Sequence, residues 1–161
     1  GTALLCIHGS LSASLLRGGA GGATLNDDGM FAGGQTPGVQ TLHLSDLFDT
    51  GNSMDGFEAI DLGGNHANLF KVDASVSQSS LGLDTALEAS KLDAGHQNLA
   101  GQSILRITGD AGQDTVQLEQ GSWNHTASAT VTYDGVAYQQ WNNSDNTEHL
   151  LIQQSLQVTF G

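Results

Sequence analysis

Thr130-Val131-Thr132-Tyr133-Asp134-Gly135-Val136-Ala137-Tyr138 is the stretch that decides the fold class. Two alternating runs of β-branched and aromatic residues flank Asp134-Gly135, a dipeptide that tolerates the positive φ angles of a type I′ turn. The stretch predicts an antiparallel hairpin, with strands over Ala129 to Tyr133 and Val136 to Trp141. Outward from it, short runs with period-two alternation recur from Ala3 to Ile7, Val39 to Leu44, Phe57 to Leu62, Asn68 to Val72, Ile104 to Thr108, Thr115 to Leu118, Leu150 to Gln153 and Leu156 to Phe160. Glycine supplies the punctuation, with 22 Gly against one Pro, and is densest between Gly18 and Gly38. The chain therefore reads as mainly β: a glycine-rich β-roll or β-sandwich-like domain with antiparallel hairpins. One segment departs from this pattern. Ser80 to Leu92 spaces Leu81, Leu83, Ala86, Leu87 and Leu92 in a mixed i, i+3, i+4 manner, with Asp84 near its start and Lys91 near its end, which predicts one short helix over about 80–92.

At 161 residues the chain is one domain long, with a Gly-rich segment over 1–38 ahead of a strand-rich body over 39–161. Acidic residues outnumber basic ones 17 to 4, for a formal net charge of −13. Affinity for phosphate backbones and anionic lipid comes from clustered Lys and Arg, and these four are scattered, so no nucleic-acid partner is expected. The opening segment has no basic region and no long apolar run, which predicts neither a signal peptide nor membrane insertion. Gly1 in place of Met suits a chain processed or excised from something longer. The lone Cys6 reads as a small buried apolar residue, since no second cysteine exists to pair with it.

Most of the acids are Asp set beside Gly or Asn in turn-like contexts, and short carboxylates on tight turns can converge on Ca²⁺, which takes six to eight oxygen ligands. The leading pair is Asp110 and Asp114, four apart around Gly112. A second set, Asp46, Asp49, Asn52 and Asp55, lies on a loop containing Gly51, and Asp27 and Asp28 form a third in Asn26-Asp27-Asp28-Gly29. For each the alternative reading is an ordinary turn in which Asp accepts backbone N–H bonds. None of the six histidines makes a metal-binding His pair, and Ser10, Ser12 and Ser14 form no nucleophile elbow. The four Glu residues, Glu58, Glu88, Glu119 and Glu148, come with no clustered aromatics to grip a sugar, so no enzyme activity is expected. Tyr138 and Trp141 are three apart on one strand and therefore on opposite faces of the pleat, one of them expected to face solvent. An exposed Trp141 beside Asn142 and Asn143 is the candidate contact surface for sugar or protein.

Leu16-Arg17-Gly18-Gly19-Ala20-Gly21-Gly22-Ala23-Thr24-Leu25-Asn26 resembles a worn copy of the nonapeptide GGxGxDxUx of the repeats-in-toxin (RTX) family, with Ala23 at the ligand position. The order Met54-Asp55-Gly56-Phe57-Glu58-Ala59-Ile60-Asp61-Leu62, Leu105 to Leu118, Gly121-Ser122-Trp123, Tyr133 to Tyr138 and Leu150-Leu151-Ile152 is similar to a module near the C-terminal end of large type I secreted RTX adhesins, and covers about two thirds of the chain. The resemblance implies an extracellular, cell-surface location, calcium-assisted folding outside the cell and a scaffold or attachment role. Ser75 to Gly101 is longer than that family's usual connection. Since no repeat of constant period runs the whole length, a complete solenoid is not expected. Three functions follow: a non-enzymatic structural or adhesion module contacting neighbouring modules of its polypeptide, a filament or matrix subunit joined to other copies of itself through terminal strands, and a binder of surface glycans.

Overall fold

The computed structural model describes residues 3–7, 15–17, 23–27, 40–45, 53–55, 59–63, 67–73 and 87–161, with 3–7, 15–17, 23–27, 40, 53–55, 103 and 126–129 described by backbone alone. The strands are β1 (Ala3–Ile7), β2 (Leu15–Arg17), β3 (Ala23–Asp27), β4 (Gln40–His43), β5 (Ser53–Asp55), β6 (Ala59–Asp61), β7 (Asn68–Val72), β8 (Ser103–Thr108), β9 (Thr115–Leu118), β10 (Trp123–Tyr133), β11 (Val136–Asn143), β12 (Glu148–Gln153) and β13 (Gln157–Phe160). The chain is mainly β, as its periodicity predicts, and several strands fall on the predicted runs to the residue.

The expected antiparallel hairpins are there in β10–β11 and β11–β12, and the remaining strands join differently. A seven-stranded sheet has the order β1-β3-β6-β8-β12-β11-β10, a four-stranded sheet the order β13-β9-β7-β4, and β2 pairs with β5. Among the described strands only β10–β11 and β11–β12 are antiparallel; the rest pair in parallel. The chain thus alternates between two sheets, as β3 to β4, β6 to β7, β8 to β9 and β12 to β13, and lays each turn beside the last. This is solenoid stacking, which the sequence does not announce. The long-sheet strands start at Ala23, Ala59, Ser103 and Glu148, so the turns are of unequal length and no fixed period survives. Alternation within a strand fixes which face is buried, but it is the same whether the neighbour runs parallel or antiparallel.

Register explains the core. Leu5, Leu25, Ile60, Ile107 and Ile152 occupy one rank across the long sheet, and Leu42, Phe70, Val116 and Val158 one rank across the short sheet. Ile60, Ile107, Ile152, Phe70 and Val116 are fully buried between the sheets, joined by Leu44, Leu62, Leu105 and Leu150.

The Asp134-Gly135 hairpin is present as predicted, with Tyr133 opposite Val136 and φ of 50° at Asp134 and 81° at Gly135, the signature of type I′. The helix read over 80–92 is not borne out at its described end. Residues 80–86 lie outside the described residues, Glu88 and Leu92 are extended, and Ala89–Lys91 is a single 3₁₀ turn. The reason is packing: residues 87–102 form a strap across the outer face of the long sheet, where Leu87, Leu92 and Leu99 meet Ile104, Val131, Tyr133, Tyr138 and Leu151. An extended path lets Leu92 bridge to Tyr133 and lets Asp93 bond Thr132 twice, N to O at 3.0 Å and Oδ2 from N at 2.7 Å. Tyr138 and Trp141 do lie on opposite faces, but both are buried, at 1% and 7% exposure, because strap and core cover the two faces of the sheet.

Candidate functional site

Where the chain leaves the long sheet for the short one, the corners stack. Asp114 is buried at one of them, 1% exposed. Its Oδ1 accepts from Asn68 N at 3.0 Å and Asn68 Nδ2 at 3.2 Å, and its Oδ2 accepts from Asp110 N at 2.6 Å. Asn68 Nδ2 also donates to the Leu62 carbonyl at 2.8 Å. Burial pushes the Asp114 carboxyl above its usual range, against the pull of the N–H groups from Asp110 and Asn68. Gly109 has to be glycine here, since a Cβ would stand 2.8 Å from Asp114 Oδ2.

Asp110 is exposed on its turn while Asp114 is buried, and the Asp110 charge adds to the upward push on the Asp114 carboxyl. The carboxylate that stacking brings near Asp110 is Asp61, one turn earlier. A Cβ built on Gly63 would lie 3.0 Å from Asp61 Oδ1 and 3.8 Å from Asp110 Oδ1. Asp61 Oδ1 also accepts from Gly63 N at 2.9 Å and from Thr108 Oγ1 at 3.1 Å. Nothing in the spacing marks Asp61 and Asp110, 49 residues apart, as neighbours. The signal lies in register, since Asp61 is opposite Thr108. Among the described residues no group of three or more His, Cys, Asp or Glu side chains gathers as a metal site. Asp28, Asp46, Asp49 and Asn52 lie outside the described residues, while Asp27 closes β3 opposite Ile7 and Asp55 closes β5 opposite Arg17.

At the opposite ends of β7 and β9 is a cleft of about 420 Å³ with Asp73, Glu119 and Glu148 in its wall and Trp123 beside them. Asp73 accepts from Ser45 N at 2.8 Å, Ser45 Oγ at 2.9 Å and pairs with His43 Nδ1 at 2.9 Å. Burial opposes ionisation, but these hydrogen bonds outweigh it and hold the Asp73 carboxyl below its usual range. Asn143, at the same cleft, is a turn clamp rather than an open contact residue. Its Oδ1 accepts from Thr147 N at 2.8 Å and Glu148 N at 3.0 Å, and its Nδ2 donates to Thr147 Oγ1 at 3.1 Å and Glu148 Oε2 at 2.9 Å. Asn143→Ala is expected to cost about 1–2 kcal/mol, because two turn N–H groups lose their acceptor, read as a lower urea midpoint. A midpoint equal to that of the parent would mean the turn holds without the clamp.

Asn142 is also committed internally, and Trp141 does not form the expected solvent-facing surface. Asn142 Oδ1 lies 2.9 Å from Gln140 Nε2 and 2.7 Å from His149 Nδ1, and His149 Nε2 lies 2.6 Å from Gln102 Oε1 of the strap. His149 is 2% exposed. Burial pushes its imidazole below the usual value, opposed by the neighbouring Glu148 charge. The unfolded chain therefore takes up the proton first. The stability that neutral His149 contributes is complete above the ordinary value of 6.5 and is lost as the pH falls below it. His149→Gln is expected to flatten the fall in melting temperature between about pH 6.5 and 5; an unchanged slope in the variant would show that another group carries it.

Set against protein-family models, curated proteins and solved structures, the chain finds no match in any of the three. Among the described residues no helix is long and apolar enough to cross a membrane.

Proposed function

We propose that the chain is a non-enzymatic structural or adhesion module of a type I secreted bacterial surface protein, working as a folded scaffold outside the cell and stabilised by Ca²⁺. The observation that carries the reading is the pair of sheets, joined largely by parallel pairing, wound over a continuous apolar interior. Such a coil gains stability turn by turn from its neighbours, which suits a load-bearing element in a long polypeptide. Its polar side chains at the corners and cleft are largely engaged with the fold: Asp114 and Asn143 hold backbone N–H groups, and Asp73 holds Ser45. That use is structural. The acid excess and the RTX-like order of motifs support the extracellular setting.

Calcium would sit at the stacked corner, held by Asp61 and Asp110, whose carboxylates converge on Gly63. Asp114, buried and held by the N–H groups of Asn68 and Asp110, would anchor the turn beside them. Neutralising this corner lowers repulsion between carboxylates and couples folding to a calcium-rich medium. Melting with excess Ca²⁺ is expected to give a higher midpoint than melting with EDTA, and the difference is expected to shrink in Asp61→Asn. Identical midpoints would remove calcium from the reading.

The filament reading keeps one supporting observation. The edge strand β13 carries no charge and no proline, and its Phe160 is 50% exposed. Size-exclusion chromatography at high concentration decides it, a strict monomer leaving the scaffold module alone.

A further inference from the structure

The seven-stranded sheet is not assembled in chain order. β12 follows the β10–β11 hairpin in sequence, yet it lies between β8 and β11, parallel to the first and antiparallel to the second. Both of its strand neighbours and the strap come from residues that precede it, while the core beneath it also takes in Leu156, which follows. Leu150 and Ile152 point into the core between the sheets, and Leu151 points the other way, under Leu87, Leu92 and Leu99 of the strap. All three are fully buried, and His149 beside them reaches Gln102 of the strap. Arg106 on β8 reaches past β12 to its far neighbours, with Nη1 donating to the Tyr138 hydroxyl of β11 at 3.3 Å and the guanidinium 4.9 Å from the centre of the Tyr133 ring of β10. The strap is fastened to the far side of the hairpin through Asp93 and Lys91, whose carbonyl accepts from Asp134 N at 2.9 Å.

We infer that β12 is a keystone strand: it enters a slot bounded by β8, the hairpin, the strap and the core, closes the fold last, and is the element whose withdrawal starts unfolding. Without it β8 has an unpaired edge, and the hairpin loses its strand ladder to the body, keeping the side-chain contacts of Trp123 and Trp141 with the core, of Arg106 with its tyrosines, and the strap. The Asn143 clamp feeds the strand in, because it sets the turn that points Glu148 back along β11. In an exported scaffold this device delays closure until residues 148–153 are present and makes reopening slow. The inference stands on topology alone and survives if the calcium reading fails.

Stopped-flow folding of the full chain tests it. Leu151→Ala is expected to speed unfolding about 10- to 100-fold while changing the refolding rate by less than about two-fold, whereas Val116→Ala, in the short sheet, is expected to slow refolding. Slower refolding of Leu151→Ala, in proportion to its lost stability and with an unchanged unfolding rate, would overturn the inference. Should that variant fail to fold, native-state hydrogen exchange of the parent protein gives the answer. The amides of Leu150, Leu151 and Ile152 are expected to open at lower denaturant than those of Phe70 and Val116; opening of all five in one global step would overturn it equally.

Discussion

Phe70→Ala is expected to destabilise the protein by about 3–5 kcal/mol, a large share of the roughly 5–15 kcal/mol that holds a domain folded. Phe70 is fully buried in the middle of the short sheet, opposite Leu42 on β4 and Val116 on β9. Truncation removes its transfer free energy and leaves a hole that two sheets held by backbone ladders cannot close, which is where such costs run highest. Leu69→Ala is the control, because Leu69 is on the other face of the same strand and only half-buried; about 1 kcal/mol is expected there. Urea unfolding followed by tryptophan fluorescence reads both. The midpoint of Phe70→Ala should fall well below that of Leu69→Ala with the slope unchanged. Equal midpoints would mean that the rank from Leu42 to Val158 is not the interior of the molecule.

Asp114→Ala is the second large effect, expected to cost about 2–4 kcal/mol. The side chain satisfies the backbone N–H of Asn68, the amide of Asn68 and the backbone N–H of Asp110, tying the corner of one turn to the start of β7 in the turn before. Alanine leaves these donors without their acceptor at a buried corner. Asparagine is no remedy: its oxygen can keep the Asn68 bonds, but its NH₂ then faces Asp110 N–H, so Asp114→Asn should lose stability as well. Thermal melting of the two variants against Asp110→Asn, whose side chain is exposed, checks the assignment. If Asp110→Asn proves the more damaging, in medium free of Ca²⁺, then the corner is not held by Asp114 as the geometry has it.

Much of the fold is legible from residue order alone. Alternation places most strands within a residue or two, because a side chain that must be buried on one face repeats every second position whatever its neighbours do. Asp134-Gly135 marks its turn because positive φ is a local requirement, visible without knowing the rest of the chain. β2, β3 and β5 go unread: β2 and β5 are three residues long with no alternation to show, and β3 lies in the glycine-dense segment. The stretch ending at Leu92 reads as helix because its leucines suit a helical stripe, yet the outer face of the sheet takes Leu87 and Leu92 from an extended strap.

The candidate site is legible only as composition. That Asp110 and Asp114 belong to a turn is local information, and so is the alternative that such an Asp caps backbone N–H groups. Which of them turns inward depends on Asn68, 46 residues upstream of Asp114. Asp61 comes beside Asp110 only because consecutive turns of the coil lie in register. Trp141 and Asn142 are read as a surface because polar neighbours surround them in sequence, whereas in space Phe160 packs against the indole and His149 engages the amide.

Sequence by itself determined the β class, most strand positions, the hairpin and the acidic net charge, since each depends on a residue's own preferences or on a sum over residues. Only the tertiary structure decided that strands pair in parallel, that β12 lies between two strands that precede it, and which carboxylates meet. Those facts depend on pairing between distant segments, and a period of two is the same for every choice of partner.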